Sequence, residues 1–305
     1  MASLKNIKLK IQSYKKTGTV THAMEAVSAV KMRKSQERAL GSRSYAAAAL
    51  SILERLSGTA EVSRHPLLRE QTGKTCFVVI TSDKGLAGSL NSGVIRKAEQ
   101  EIVRRGLTKD EVLVIAIGRR AADFFALRGY TIIEKHENVS DDISESELSG
   151  ITERLLQMRA EGSVGSCVVV YQNFISTFEQ EPTVRQIVPI TKETIAQFVE
   201  GIRPARGKYA PAKREESHTP ASYTIEPDAD AVLLVLLPRL LTIALFHALL
   251  ENKASEHSAR MVAMKSATDK AKDMVKSYTR LFNKVRQAAI TREVSELTSG
   301  IEAMK

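Results

Sequence analysis

The segment Asp83-Lys84-Gly85-Leu86-Ala87-Gly88-Ser89 has residue types that could hold a phosphate, because it lies between a β-rich run and a helix-like run. Backbone N–H groups at such a turn can face an anion. Its spacing is not a dinucleotide fingerprint, and no acidic ribose ligand follows a second strand. It therefore reads as a structural turn. Thr72–Thr75 (TGKT) has the letters that end a phosphate loop, but Leu68 stands where glycine is needed. The strand also follows that segment instead of preceding it. The six histidines, His22, His65, His136, His218, His247 and His257, contain no pair at metal-ligand spacing. Cys76 and Cys167 sit in apolar runs, CFVVI and CVVVY, and read as buried strand cysteines. Asp141 and Asp142, with Glu145 and Glu147, read as favourable charge at the first turn of a helix. There is no GxSxG or HExxH motif. The reading is of a chain with no catalytic centre, metal or cofactor of its own.

The elements around these residues carry the stronger signal. Up to about residue 56 the chain reads as one long helix. Leu4, Ile7, Ile11 and Tyr14 form a narrow 3-4-3 apolar seam, and Val20, Met24 and Val27 resume it after a slip. Gly18 costs that helix up to ~1 kcal/mol. In the middle, the β-rich runs are Cys76–Thr81, Val112–Ile117, Cys167–Tyr171 and Val184–Ile190. The helix-like stretches are Leu90–Arg105, Arg119–Arg128 and Glu145–Arg159. That alternation predicts an α/β layer with a partly parallel sheet. Arg203–Pro220 is rich in Pro, Lys, Arg and Glu and reads as an exposed loop.

From Arg239 to Ser299 there is no proline or glycine. Met261, Met264, Thr268, Ala271, Val275, Tyr278, Phe282, Val285 and Ala289 alternate steps of three and four, a coiled-coil seam. Ile290, Val294, Leu297 and Ile301 continue on a shifted seam. A helix of about 60 residues spans roughly 90 Å, whereas a compact chain of this size has a radius of gyration near ~19 Å. The helix is expected to project, paired antiparallel with the N-terminal helix, with the α/β domain inserted between them. The segment Ala231–Leu250 is as long as a membrane span. A mid-bilayer Arg239 would cost at least ~2.5–3.5 kcal/mol. The segment therefore reads as buried in protein, with Pro238 near the start of a helix.

The 305 residues carry a net charge of +10, unevenly spread. Residues 1–56 hold 11 Lys/Arg against 3 Glu, and residues 239–305 hold 12 against 7 acids. The middle is slightly acidic. Both basic ends suit one anionic partner. Hydrophobic residues at 43% and charged residues at 26% exclude a disordered chain. Nucleic acid is one anionic partner to weigh, but Trp is absent and no aromatics interleave the basic stretches. No apolar h-region follows the N-terminus, so a secretory signal is not expected.

Three blocks, THAMEAVSAVKMRKSQERA (Thr21–Ala39), ASEHSARMVAMKSATDKAKD (Ala254–Asp273) and RQAAITREVSEL (Arg286–Leu297), strongly resemble the gamma subunit of F-type ATP synthase. ITSDKGLAGSLN (Ile80–Asn91) and IEPDADAVLL (Ile225–Leu234) resemble weaker blocks of the same family, in the same order. The resemblance implies two terminal helices coiled together with an inserted Rossmann-like α/β domain. The divisions expected are 1–58 for the N-terminal shaft helix, 74–200 for the α/β foot, 201–224 for the exposed loop and 225–305 for the C-terminal shaft helix. It implies a rotor shaft inside a ring of alpha and beta subunits, with its foot on the c-ring beside the epsilon subunit. Rotation would couple ion flow to ATP synthesis in the beta subunits, or hydrolysis to rotation. The chain would bind no nucleic acid and no cofactor and would be peripheral to the cytoplasmic face of a bacterial inner membrane.

By motif position the resemblance also implies roles. Arg286 and Gln287 match a polar catch with beta. Arg260, Thr291 and Met24 match positions that contribute to beta contacts and coupling. Tyr223 and Glu226 match the foot region near the c-ring. The chain departs from the family pattern at Ala87-Gly88-Ser89, where Cys-Gly-Gly is usual, and at Gly18, His22, Pro238 and Lys253.

Overall fold

The computed structural model describes residues 4–56, 67–190, 194 and 229–304, with side chains from 4–39 and from 231 onward in the two long helices. The chain divides into two compact units, residues 1–29 with 260–305, and residues 30–259. Tyr223, Glu226 and the Arg203–Pro220 loop lie outside the described residues.

The element order is α1 (Leu4–Leu56), β1 (Lys74–Ile80), α2 (Leu90–Arg104), β2 (Val112–Ile117), α3 (Arg119–Leu127), β3 (Thr131–His136), α4 (Glu145–Ala160), β4 (Val164–Phe174), β5 (Gln180–Val188) and α5 (Ala229–Glu302). The long helices and the three short ones lie where periodicity predicts them. Strand β3 does not follow from the sequence reading. It is an edge strand, half-exposed, and the charges of Glu134, Lys135 and His136 break its apolar run. Strands β4 and β5 run further than their apolar cores and form an antiparallel hairpin, from Phe174 opposite Gln180 to Cys167 opposite Val188.

Within the unit of residues 30–259, the sheet order is β3-β2-β1-β4-β5. Strands β1 to β4 are parallel, and β5 is the antiparallel edge. This is the doubly wound arrangement, with connections crossing on both faces. Both faces of the central strands are therefore buried, and their sequences read as continuous apolar runs. On one face Phe77, Val79, Val114 and Val168 pack with Val94, Ala98 and Phe125 of α2 and α3. On the other, Val78, Ile80, Ile115 and Val169 pack with Ile151 and Leu155 of α4 and with Leu237, Leu241 and Leu245 of α5. Thus the membrane-length segment of α5 is the apolar cover of a sheet, buried from Leu240 to Ser255. Cys76 and Cys167 are buried partners on adjacent strands, as their apolar runs predict. Burial pushes the Cys167 thiol above its ordinary range.

Polar bonds fix the docking of α5. The Gln172 N–H donates to Asn252 Oδ1 at 3.0 Å, and Ser255 Oγ donates to the Gln172 carbonyl at 3.2 Å. Thr242 Oγ1 lies 2.9 Å from Thr152 Oγ1 of α4.

Two expectations change here. Pro238 is not near a helix start; it lies inside α5, which begins at Ala229. Proline removes the bond to the carbonyl four residues earlier. That residue is Leu234, which is exposed, so water can serve the carbonyl. Asp141 and Asp142 do not supply the first turn of α4. Ser144 caps that helix, its N–H donating to Glu147 Oε1 at 2.9 Å in a capping box. The two aspartates instead pair with Lys31 and Lys34 of α1 and with Lys253 and His257 of α5.

The glycine turn is held by its own side chains. Ser82 N–H donates to Asn91 Oδ1 at 2.9 Å, and Asn91 Nδ2 donates to Ser82 Oγ at 2.8 Å. Asp83 Oδ1 accepts from the Arg119 N–H at the start of α3 at 3.0 Å. At Gly118, φ is +95° and an added Cβ would sit 2.2 Å from the Thr81 carbonyl oxygen, so only glycine fits.

Candidate functional site

The candidate residues within the described chain, Met24, Arg260, Arg286, Gln287 and Thr291, lie in the unit of residues 1–29 and 260–305. There α1 and α5 pair antiparallel. Tyr14 stacks on Tyr278 with centroids 5.4 Å apart and planes at 26°, and Lys10 Nζ lies 5.4 Å from the Tyr278 centroid. Further along α1, a Cβ at Gly18 would lie 3.5 Å from that of Ala271. Thr21 Oγ1 and Thr268 Oγ1 are 2.6 Å apart, and Thr268 Oγ1 donates to the Met264 carbonyl at 2.8 Å.

These contacts correct the expected slip in the first seam. Val20 and Val27 are 58% and 55% exposed. The seam runs on without a slip through Gly18, Thr21 and Ser28, all half-buried or buried. Apolarity was the wrong guide there. Small side chains let two backbones approach, and paired hydroxyls satisfy each other, so the steps of three and four survive without large hydrophobes. The signal was present as spacing: 4, 7, 11, 14, 18, 21 and 28 all fit it.

On α5 the predicted seam holds. Met264, Thr268 and Ala271 are buried, and Val275, Tyr278, Phe282, Val285 and Ala289 are half-buried. Beyond Ala289 every described side chain is exposed. Ile290, Val294, Leu297 and Ile301 are 51%, 53%, 68% and 62% exposed. Among the described residues nothing covers the shifted seam, which forms an exposed apolar stripe on α5.

Arg286, Gln287 and Thr291 lie at the start of this stripe, within six residues of each other and all exposed. Thr291 Oγ1 donates to the Gln287 carbonyl at 3.0 Å, while Arg292 pairs with Glu296 at 2.8 Å. The helix brings these three residues together. It does not bring Arg260 to them, because 26 residues along α5 is about 39 Å. Arg260 is buried, and Met24 is half-buried one turn beyond Thr21, with its carbonyl accepting from Ser28 Oγ at 2.7 Å.

One unit is a long antiparallel helical pair and the other a doubly wound α/β layer. Solved chains share this fold. The chain is similar to one in the mitochondrial ATP synthase of Euglena gracilis, in an assembly of OSCP, F1 and c-ring, with a TM-score of 0.64 at 16% identity, covering 99% of this chain and 94% of that one. It is also similar to one in the central stalk and c-ring of the Tetrahymena thermophila mitochondrial enzyme, with a TM-score of 0.58 at 21% identity, covering 81% of this chain and 99% of that one. A family model described as ATP synthase matches residues 3–304. The ATP synthase gamma chains of Heliobacterium modesticaldum and Pelotomaculum thermopropionicum are 37% and 36% identical, over 100% of both chains in each case. The chain belongs to the ATP synthase gamma chain family.

Proposed function

We propose that this chain is the rotor shaft of an ATP synthase and couples rotation to nucleotide affinity without an active site of its own. It is a central-stalk subunit. The observation that carries the shaft reading is the end of α5. The family match is full-length, and the helix it predicts to enter the ring ends in an unpartnered apolar stripe beside Arg286 and Gln287. A sleeve of alpha and beta subunits would cover that stripe.

The helical pair supplies a stiff element. It is asymmetric because one chain forms both strands, so three beta subunits around it meet three different faces. A conformational bias that differs between sites is what coupling requires. In a water-poor interface, Arg286 offers charge-assisted bonds that are stronger than neutral ones, and Gln287 both donates and accepts. Thr291, Arg260 and Met24 are proposed to set the fit of the shaft to beta. Tyr223 and Glu226 are proposed to face the c-ring, with the epsilon subunit beside the foot. The complex is membrane-associated, and this chain is proposed to sit peripherally on the cytoplasmic face of a bacterial inner membrane.

The test is reconstitution with alpha and beta subunits. One copy per ring is expected, and Arg286→Ala with Gln287→Ala is expected to change ATPase activity at least several-fold while the chain still incorporates. Failure of the wild-type chain to join the ring would overturn the reading.

A further inference from the structure

The turn at residues 139–143, between β3 and α4, gathers cations from both long helices. Asp141 Oδ2 lies 2.7 Å from Lys31 Nζ, and Oδ1 lies 3.1 Å from His257 Nε2 and 3.2 Å from Lys253 Nζ. Lys253 also donates to the Val139 carbonyl at 2.8 Å. Lys34 pairs with Asp142 at 2.7 Å. Arg38 donates to the carbonyls of Asp141 and Ile143, and its guanidinium lies 5.6 Å from the Phe246 ring centroid on α5.

The sequence explains the convergence. Lys31, Lys34 and Arg38 follow i, i+3, i+7 spacing on α1, and Lys253 and His257 follow i, i+4 on α5. Each set therefore lies on one face of its helix. The turn lies outside α4, so its carbonyls have no helical partner and remain available as acceptors. The pairs to α5 are not a screened surface contact, since the side chains of Lys253 and His257 are 8% and 5% exposed. The hydrogen bond from His257, with help from Lys31 and Lys253, holds the Asp141 carboxyl well below the usual carboxylate range despite its burial.

Apolar burial between the helices and the layer is non-directional, so it resists separation better than slippage. Bonds that converge on one carboxylate from two helices have fixed directions. We propose that Asp141 is a torsional lock, a positioning residue that makes the α/β layer turn together with α1 and α5. The proposal rests on the central-stalk reading. Without the lock, the layer and the helices would twist further against each other under the same torque.

The test uses the assembled complex in sealed vesicles with three variants of this chain: Asp141→Asn, Asp141→Glu, and Lys31→Met combined with Lys34→Met. The lysine side chains are 47% and 58% exposed, so the last variant spares the core. Ions moved per ATP hydrolysed, and the torsional stiffness sensed by a bead on the α/β layer, are both read. Asp141→Asn and the double lysine variant are expected to incorporate and hydrolyse ATP, with the stiffness lowered by about half as charge-assisted bonds are lost and the ion-to-ATP ratio unchanged, because a continuous chain returns stored twist. Asp141→Glu is expected to recover part of the stiffness. If the variants only lower the melting temperature of the free chain, while stiffness matches wild type, the lock is overturned and Asp141 is merely structural. Failure of wild type to incorporate overturns the central-stalk reading, and the lock with it.

Discussion

Around the sheet, Phe77, Val78, Val79 and Ile80 are successive residues and all are fully buried. In the helical pair, the residues that meet are Gly18 with Ala271 and Thr21 with Thr268, and a single row is buried along each helix. The first region closes its own core on both faces of a sheet, with α2 and α3 on one side and α4 and α5 on the other. The second holds together through one narrow seam and leaves Ile290 to Ile301 uncovered. The difference teaches where outside help is needed. A sheet whose central strands are covered on both faces is self-sufficient; a helix that exposes an apolar row at steps of four and three is built for a surface that supplies the missing side.

The largest test of that contrast truncates one apolar residue in each region. Ile151→Ala in the sheet unit should cost about 2–5 kcal/mol, by the loss of buried contacts and the cavity left. Leu297→Ala should change the denaturant midpoint of the isolated chain by less than about 0.5 kcal/mol yet weaken assembly with alpha and beta. Equal losses from the two substitutions in the free chain would erase the distinction.

The next effect sharpens the comparison on the polar side. Asp141→Asn should destabilise the isolated chain near neutral pH by about 2 kcal/mol, the scale of hydrogen bonds to a charged group. The sign with pH follows from the direction of the shift. The native carboxyl is held below its unfolded value, so its contribution is complete above the unfolded value near ~3.9 and is lost as pH falls toward the native one. The gap between wild type and Asp141→Asn should therefore narrow below about pH 4. A gap that widens on acidification would contradict the ion cluster.

The smallest effect lies in the helical seam. Thr21→Val or Thr268→Val alone should cost about 0.5–1.5 kcal/mol, because the remaining hydroxyl keeps its backbone carbonyl but loses the bond across the seam. The double substitution should cost clearly less than the sum, which thermal melts of the four forms would measure as a coupling energy. Strict additivity would mean that the hydroxyls do not bond.

Much of this was legible in the residues. The seam of α5 could be read from Met264 to Ala289, because large and small apolar types kept the heptad spacing. Strand β2 and the start of α4 could be read because their patterns switch abruptly at Val112 and Glu145. The first helix was harder beyond Tyr14, since Gly18, Thr21 and Ser28 keep the spacing without being hydrophobic. Strand β3 was hidden by edge charges. The role of Asp141 was not legible locally at all: its partners are 110, 112 and 116 residues away, and only the fold brings them to one carboxylate. The candidates Arg286, Gln287 and Thr291 came from family resemblance, and no local pattern marks them out from other exposed helical residues.

Hydrogen exchange of the chain, alone and assembled with alpha and beta subunits, tests the central claim most directly. The account predicts that amides of residues 286–302 gain protection of at least about a hundredfold on assembly, as an open helix becomes a covered one. Those of Phe77–Ile80 should be protected in both states. Residues 286–302 exchanging equally fast in both states would contradict the claim that the ring completes the shaft.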